Sequence, residues 1–189
     1  WSKADSGIDG QDIHGLAINP LDPNRIYAYS VNKGLFGTQD GAKSWNKIDD
    51  GPKNPNVKGF VYMPTFTSMD RNMRKEGSTN IGYLWAGTGG GLFSSFACFC
   101  GWTGAQSIPA SATIYALAAD PVNKSNMLVA EKDGLYRTTD EAKSFTKVSE
   151  LANVGALWFD IEDQKVVFAA TNDGVIYQSN DSGASWNKR

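Results

Sequence analysis

The chain has 189 residues, a net charge of −2 at neutral pH, 41% hydrophobic residues and two cysteines. Lysine and arginine are interspersed with aspartate and glutamate, so no basic patch indicates binding to nucleic acid or to an anionic membrane surface. No apolar run reaches the roughly 18 residues that a membrane-spanning helix needs, so we expect no membrane span.

The apolar residues fall into short runs that repeat along the chain. Three units each begin with three such runs, over residues 13–18, 25–30 and 34–36, over 114–119, 127–130 and 134–136, and over 154–159, 166–170 and 175–177. The runs are rich in β-branched and aromatic residues, and Pro, Gly, Asn or Asp separates them. This pattern is typical of β-strands joined by tight turns.

Each of these units closes with a similar octapeptide, over residues 38–45, 138–145 and 179–186. The octapeptides combine a hydroxyl residue, an aspartate, a serine and a closing aromatic residue, and their aspartates and aromatics are Asp40 and Trp45, Asp140 and Phe145, and Asp181 and Trp186. An aspartate in a tight loop accepts hydrogen bonds from the loop's own backbone N–H groups. The aromatic ring is suited to packing between sheets. We therefore predict that each octapeptide is a structural hairpin corner.

A further unit lacks the aspartate. Apolar runs at 60–63, 83–86 and 91–93 supply its strands, and Ser95 and Trp102 take the hydroxyl and aromatic positions of its corner. Ala97 stands where the aspartate would be, so we expect a reshaped corner. Closing aromatics then recur every 40 to 60 residues or so, which is typical of the four-stranded blades of a β-propeller.

The octapeptides resemble the Asp-box, or bacterial neuraminidase repeat. This repeat is found in sialidases, xyloglucan-degrading glycoside hydrolases, sortilin-type receptors and a photosystem II assembly factor. The resemblance covers nearly the whole chain and implies an all-β propeller of four-stranded antiparallel blades. It implies little about activity, because one scaffold carries several functions.

We expect one propeller over residues 1–189. Residues 1–10 are predicted to end a preceding blade, and four blades follow over 11–48, 57–104, 112–148 and 152–189. We interpret them as part of a larger, six- to eight-bladed propeller, because Trp1 takes the position of a closing aromatic. The alternative is a complete four-bladed ring that the N-terminal residues close.

An insertion over residues 64–80 lengthens one connection of the second blade. Long insertions on a repeat scaffold often form binding surface. Its apolar and cationic side chains are the predicted contacts to a partner, namely Phe66, Met69, Arg71, Met73 and Arg74. The alternative is a solvated loop without a binding role.

Cys98 and Cys100 flank Phe99 in the corner that lacks aspartate. We expect two packed free thiols, because free cysteine is among the most buried residue types. A disulfide across one intervening residue is the second possibility. The third is a soft-metal site with Met63, Met69 and Met73 as additional ligands. We predict no cofactor.

Two acidic positions are candidates for catalysis. Asp12 stands beside His14 and has the position to orient an imidazole, although a structural role is expected for a lone histidine. Xyloglucanase-like enzymes, which the resemblance includes, use two aspartates in a cleft between two propellers, and neither is matched here. Asp12 and Asp160, which both flank inner strands, are candidates by position alone. The three octapeptide aspartates are predicted to lie around the rim, too far apart for the roughly 5–9.5 Å between paired catalytic carboxyls.

We predict a non-catalytic, extracytoplasmic binding or assembly module that presents loops on a rigid propeller. Its expected partners are a protein or a glycan, together with the remaining blades from the same or another chain. The alternative is a sialidase- or xyloglucanase-like glycoside hydrolase. The arginine triad that the resemblance implies for sialidases has no match in this sequence. Gly87 to Gly91 is predicted to be a hairpin turn, since no helix or lysine follows it as a phosphate loop requires.

Overall fold

The computed structural model describes residues 2–64 and 82–189. These residues form sixteen β-strands, and none of them forms a helix that is long and apolar enough to cross a membrane. The strands are β1 (Ile13–Ile18), β2 (Ile26–Ser30), β3 (Gly34–Thr38), β4 (Asn46–Asp49), β5 (Val57–Pro64), β6 (Gly82–Thr88), β7 (Gly91–Phe96), β8 (Thr103–Gly104), β9 (Ala116–Ala119), β10 (Met127–Glu131), β11 (Gly134–Thr138), β12 (Thr146–Ser149), β13 (Val154–Phe159), β14 (Val167–Thr171), β15 (Ile176–Ser179) and β16 (Asn187–Lys188).

The strands form four antiparallel sheets of four strands each, in chain order: β1–β4, β5–β8, β9–β12 and β13–β16. The first strand of each sheet is innermost, and β1 packs on β5, β5 on β9, and β9 on β13. The sheets therefore follow one another around a common axis as blades 1 to 4 of a propeller. The predicted all-β propeller of four-stranded blades is confirmed.

The core consists of apolar layers between neighbouring blades. Tyr27 and Leu35 of blade 1 pack against Tyr62 and Leu84 of blade 2. Similar layers join blade 2 to blade 3 and blade 3 to blade 4. Because strand side chains alternate between faces, each interior blade contributes one set of side chains to the layer on either side.

The two ends of the propeller carry different connections. At the corner end, the loop between the first and second strands bonds to the loop between the third and fourth. Gly41 N donates to Asn24 O in blade 1, and Ser182 N donates to Lys165 O in blade 4. The axial end holds the starts of the inner strands and the hairpins between second and third strands. The hairpin at residues 88–91 is one of these, as predicted.

Candidate functional site

Three corners share one hydrogen-bond pattern around an aspartate, and we call them the aspartate corners (residues 38–45, 138–145 and 179–186). In the second of them, Thr138 Oγ1 donates to Asp140 Oδ1 at 2.7 Å, and Ser144 donates through its backbone N at 2.9 Å and through Oγ to Oδ2 at 2.6 Å. Asp40 and Asp181 accept the equivalent bonds. The carboxylates are therefore saturated by their own loops.

These hydrogen bonds stabilise the charged form of each carboxylate. Bonds from Ser144, followed by Thr138, lower the pKa of Asp140 to about 2. Bonds from the equivalent side chains lower the pKa of Asp181 to about 2 and hold the pKa of Asp40 well below its usual range. A carboxylate in this setting is a poor proton donor near neutral pH, which fits a structural role.

Phe145 and Trp186 pack in the apolar layers between neighbouring blades, whereas Trp45 packs between blade 1 and Ile8 of the N-terminal segment. Trp45 is buried and its Nε1 donates to Ala4 O at 2.9 Å, while Trp186 Nε1 donates to Gly183 O at 3.1 Å. Phe145 packs against the layer between blades 2 and 3. Each corner thus links its own loop to an apolar layer.

The corner of blade 2, residues 95–102, contains a disulfide between Cys98 and Cys100, and we call it the cystine corner. The prediction of packed free thiols is wrong, and so is the soft-metal alternative, because both sulfurs are bonded to each other. Ala97 and Phe99 have φ angles of 60° and 54°. This left-handed backbone turns both cysteines outward while Phe99 is buried. No group of three or more His, Cys, Asp or Glu residues that could hold a metal occurs in residues 2–64 and 82–189.

Asp12 and Asp160, the two candidate catalytic acids, lie at opposite ends of the propeller. Asp12 precedes β1 at the axial end, where its Oδ2 is 3.1 Å from His14 Nε2, and both side chains are exposed. Asp160 follows β13 at the corner end. There it accepts backbone hydrogen bonds from Asp163 and Glu162, and these bonds lower its pKa. The structure does not bring Asp12 and Asp160 together as a catalytic pair.

The inner ends of all four blades meet around one cavity at the axial end, of about 360 Å³, which we call the axial pocket. It is lined by His14, Asn56, Val57, Lys58, Tyr115, Gly155 and Asn172. The lining thus offers an imidazole, an ammonium group, a phenol and two amides. No carboxylate is among these lining residues, so in the described part of the chain the pocket lacks a pair of acids.

Local contacts hold the polar groups of the axial pocket in place. Lys58 Nζ lies 5.7 Å from the centre of the Tyr115 ring, a cation–π arrangement. Asn172 Nδ2 donates to the backbone and side-chain oxygens of Asn153 at 3.2 and 3.0 Å. Asn172 also approaches Gly155 so closely that a Cβ at position 155 would collide with its side chain. The pocket is therefore built from residues of neighbouring turns rather than from one loop.

Sequence reasoning found only His14 of this pocket. Asn56, Lys58 and Tyr115 come at or just before the start of an inner strand, and Asn172 follows the second strand of its blade. Aligning the repeats could have found these residues, because they occupy positions that recur at the same end of every unit.

The insertion residues predicted to bind a partner, Phe66, Met69, Arg71, Met73 and Arg74, lie outside the described residues. Pro64, the first residue of the insertion, pairs with Gly82, which follows the insertion, at the corner end. They are thus at the opposite end from the axial pocket.

Comparison with known proteins establishes the fold. No protein-family model matches the chain. A curated dihydroorotase from Elusimicrobium minutum (strain Pei191) is 26% identical over 136 residues, which are 69% of this chain and 32% of that protein. An identity at this level does not establish a family.

Among solved structures, an ancestral GH74 enzyme matches 97% of this chain and 24% of its own, with a TM-score of 0.69 and 18% identity. The GH74 xyloglucanase from Xanthomonas campestris matches 94% of this chain and 30% of its own, with a TM-score of 0.64 and 17% identity. PorZ is a bacterial surface component of the type-IX secretion system of Porphyromonas gingivalis. It matches 97% of this chain and 22% of its own, with a TM-score of 0.54 and 13% identity. The chain thus spans no more than about a third of the dihydroorotase and of these three proteins. It shares the fold of the three solved structures.

Proposed function

We propose that the chain is a non-catalytic binding or assembly module of an extracytoplasmic protein, and that the axial pocket is its ligand site. The ligand is a glycan or a segment of a protein partner. The observation that carries the proposal is the lining of the pocket, where blades 1 to 4 each supply a residue and the functional groups are amides, a phenol, an imidazole and an ammonium group. Such groups bind and orient a polar ligand.

The chemistry of the pocket favours binding over hydrolysis. Canonical glycoside hydrolysis requires two carboxyl groups on either side of the bond to be cleaved. Asp12 contacts the lining residue His14, whereas Asp160 is at the far end of the blades. A pocket with Lys58 and Tyr115 side by side is suited to holding an acceptor oxygen of a ligand rather than to protonating one.

The disulfide supports the extracytoplasmic assignment. Cys98 and Cys100 are both exposed, and an exposed disulfide persists in an oxidising compartment but is reduced in the cytosol. PorZ, which shares the fold, is a surface component. These two observations agree with each other although they are independent.

The alternative function, glycoside hydrolysis, rests on the fold likeness to GH74 enzymes over almost the whole chain. A second acid would then have to come from residues beyond the described ones. Release of reducing ends from xyloglucan that is lost in Asp12→Asn would favour this alternative.

The binding proposal is tested by screening the purified protein against a glycan array and a peptide library. The best ligand is then titrated by calorimetry into the wild type and into Lys58→Ala and Tyr115→Ala. We expect each variant to bind about tenfold more weakly or worse, because each loses a polar contact. Lys132→Ala is the matched control, since Lys132 is exposed on the β10–β11 turn at the same end. A ligand that binds all variants equally would show that the axial pocket is not its site.

A further inference from the structure

The inner strands of blades 1, 2 and 4 each begin with a β-bulge beside the axial pocket. The pairing of the first strand with the second shifts by one residue at this point. The residues that the pairing passes over are His14, Lys58 and Gly155. A β-bulge turns a side chain away from the regular alternation of its strand, and bulges are common beside functional sites.

Tyr115 holds the equivalent position in blade 3, directly before β9. Leu16 and Leu117 occupy the same place in the strand pairing of blades 1 and 3. His14 comes two residues before Leu16, and Tyr115 comes two residues before Leu117. We call 14, 58, 115 and 155 the bulge positions, and all four line the axial pocket. The repeat thus delivers one residue of each blade to the same cavity.

The charge of the axial pocket comes from the bulge position of blade 2. Lys58 makes no ion pair with an acid of residues 2–64 or 82–189, and its ammonium group lies over the Tyr115 ring instead. The carboxylate of Asp12 is engaged by His14, with its Oδ2 3.1 Å from Nε2. Lys58 is therefore a cation that is available to an anionic group of a ligand.

The uncharged groups of the axial pocket suit hydroxyl groups. Gly155 leaves room on the blade 4 side for the amide of Asn172, which a Cβ at position 155 would displace. Asn56 supplies a second amide, and Tyr115 supplies a phenol. Amides and phenols both donate and accept hydrogen bonds, as the hydroxyl groups of a sugar do.

We propose that the axial pocket recognises a uronate residue of an acidic glycan, with Lys58 paired to the uronate carboxylate. This inference rests on the proposed function of the pocket as a ligand site, and it names the class of ligand. Lysine is a compact charge with three donors, so it pairs with a carboxylate oxygen without needing a fixed orientation. The amides of Asn56 and Asn172 and the phenol of Tyr115 bind the ring hydroxyls.

The size and lining of the axial pocket favour a sugar over a peptide. Its volume of about 360 Å³ is near the lower limit for ligand pockets, which restricts the ligand to a short segment. Val57 is the one aliphatic residue of the lining and is only 2% exposed. Peptides are commonly held by apolar pockets or grooves for their side chains, and this lining offers little surface of that kind.

Calorimetric titration with matched pairs of oligosaccharides tests the inference. The probes are oligosaccharides of galacturonate, glucuronate and mannuronate, each compared with its carboxyl-reduced neutral form. We expect the wild type to bind at least one acidic probe about tenfold more tightly than its neutral form, because a charge-assisted hydrogen bond is lost on reduction. Lys58→Met should abolish this preference by weakening only the acidic probe, and Lys58→Arg should retain most of it. Lys132→Met is the matched control, since Lys132 is exposed on the β10–β11 turn.

The outcomes separate the ligand class from the function of the pocket. Equal binding of the acidic and neutral forms, or a preference that survives Lys58→Met, would overturn the uronate inference. The pocket would remain a ligand site if Tyr115→Ala weakened both forms. Failure of every acidic probe to bind would also overturn the inference, and an acidic peptide that binds through Lys58 would then identify the ligand as a protein segment. A ligand unaffected by both Lys58→Ala and Tyr115→Ala would overturn the proposed function itself.

Discussion

Three blades close the hairpin between their third and fourth strands with an aspartate, whereas blade 2 closes it with a disulfide. The corners have the same length, and both kinds begin with a buried hydroxyl residue and end with an aromatic. In the aspartate corners, the carboxylate bonds only to residues within four positions along the chain. In the cystine corner, Ser95 Oγ donates to Gly101 O, and the sulfurs join positions 98 and 100.

The two kinds of corner also place their left-handed residues differently. Ala42 and its neighbour Gly41 have positive φ in blade 1, and the same two positions are left-handed in the other aspartate corners. In the cystine corner Ala97 and Phe99 are left-handed instead. The first left-handed residue therefore comes one position earlier, at Ala97, whereas Phe99 takes the left-handed position that Ala42, Ala142 and Gly183 hold in the aspartate corners. An aromatic ring thus replaces a small residue at this position.

This difference changes what each corner holds together. Tyr27 of blade 1 and Tyr62 of blade 2 stack on each other, and Phe99 packs edge-on against both rings, with ring centres 5.0 and 6.3 Å away. Trp102 Nε1 donates to Asp49 Oδ1 of blade 1 at 2.9 Å. The cystine corner thus clamps two blades, whereas the carboxylate of an aspartate corner organises its own loop.

The largest effect is expected from removing the clamp. Phe99→Ala should lower the free energy of unfolding by about 3–5 kcal/mol, because the cavity that it leaves is bordered by two rigid rings. Urea denaturation measures this as a lower midpoint at an unchanged slope. Phe96→Ala is the control, because Phe96 is in the same corner but 45% exposed, and it should cost far less. Equal losses in the two variants would show that Phe99 is not a clamp.

Breaking the disulfide should have the next largest effect. The double variant Cys98→Ser with Cys100→Ser is expected to lose about 2 kcal/mol, since the disulfide closes only a very short loop. Thermal unfolding with and without reductant measures the change. Reductant should lower the Tm of the wild type and leave that of the double variant unchanged. Free thiols detected in the unreduced native protein would contradict the assigned disulfide.

The repeats made the fold and the corner positions predictable, because the spacing of the strands and the residues of each corner can be read from short stretches of sequence. The disulfide was not predictable in this way. It depends on the left-handed backbone at Ala97 and Phe99, which a sequence with Ala97 in place of aspartate does not specify. The axial pocket was missed for another reason. Lys58 and Tyr115 are far apart in the chain and meet only because the inner strands of successive blades converge.

Acid should weaken the aspartate corners but not the cystine corner. The pKa of Asp140 and of Asp181 is about 2 in the folded protein, against an ordinary value of 3.8. Because these pKa values are lowered by folding, the stability that they contribute is complete above about pH 4 and is lost as pH falls towards 2. Urea unfolding across this range should show a decline that is smaller in Asp140→Asn. An unchanged acid dependence in that variant would contradict the role of the carboxylate.

The smallest effect, a change of less than about 0.5 kcal/mol, is expected from placing an aspartate in the cystine corner. Ala97→Asp is tested in the background that lacks both cysteines, where an aspartate corner would have room to form. We expect no rescue, because position 97 has a left-handed φ of 60° and the loop's N–H groups are not arranged as they are around Asp140. Urea midpoints of the variant with and without Ala97→Asp measure this. Recovery of the lost stability would mean that side-chain identity alone decides the corner, and that the backbone follows it.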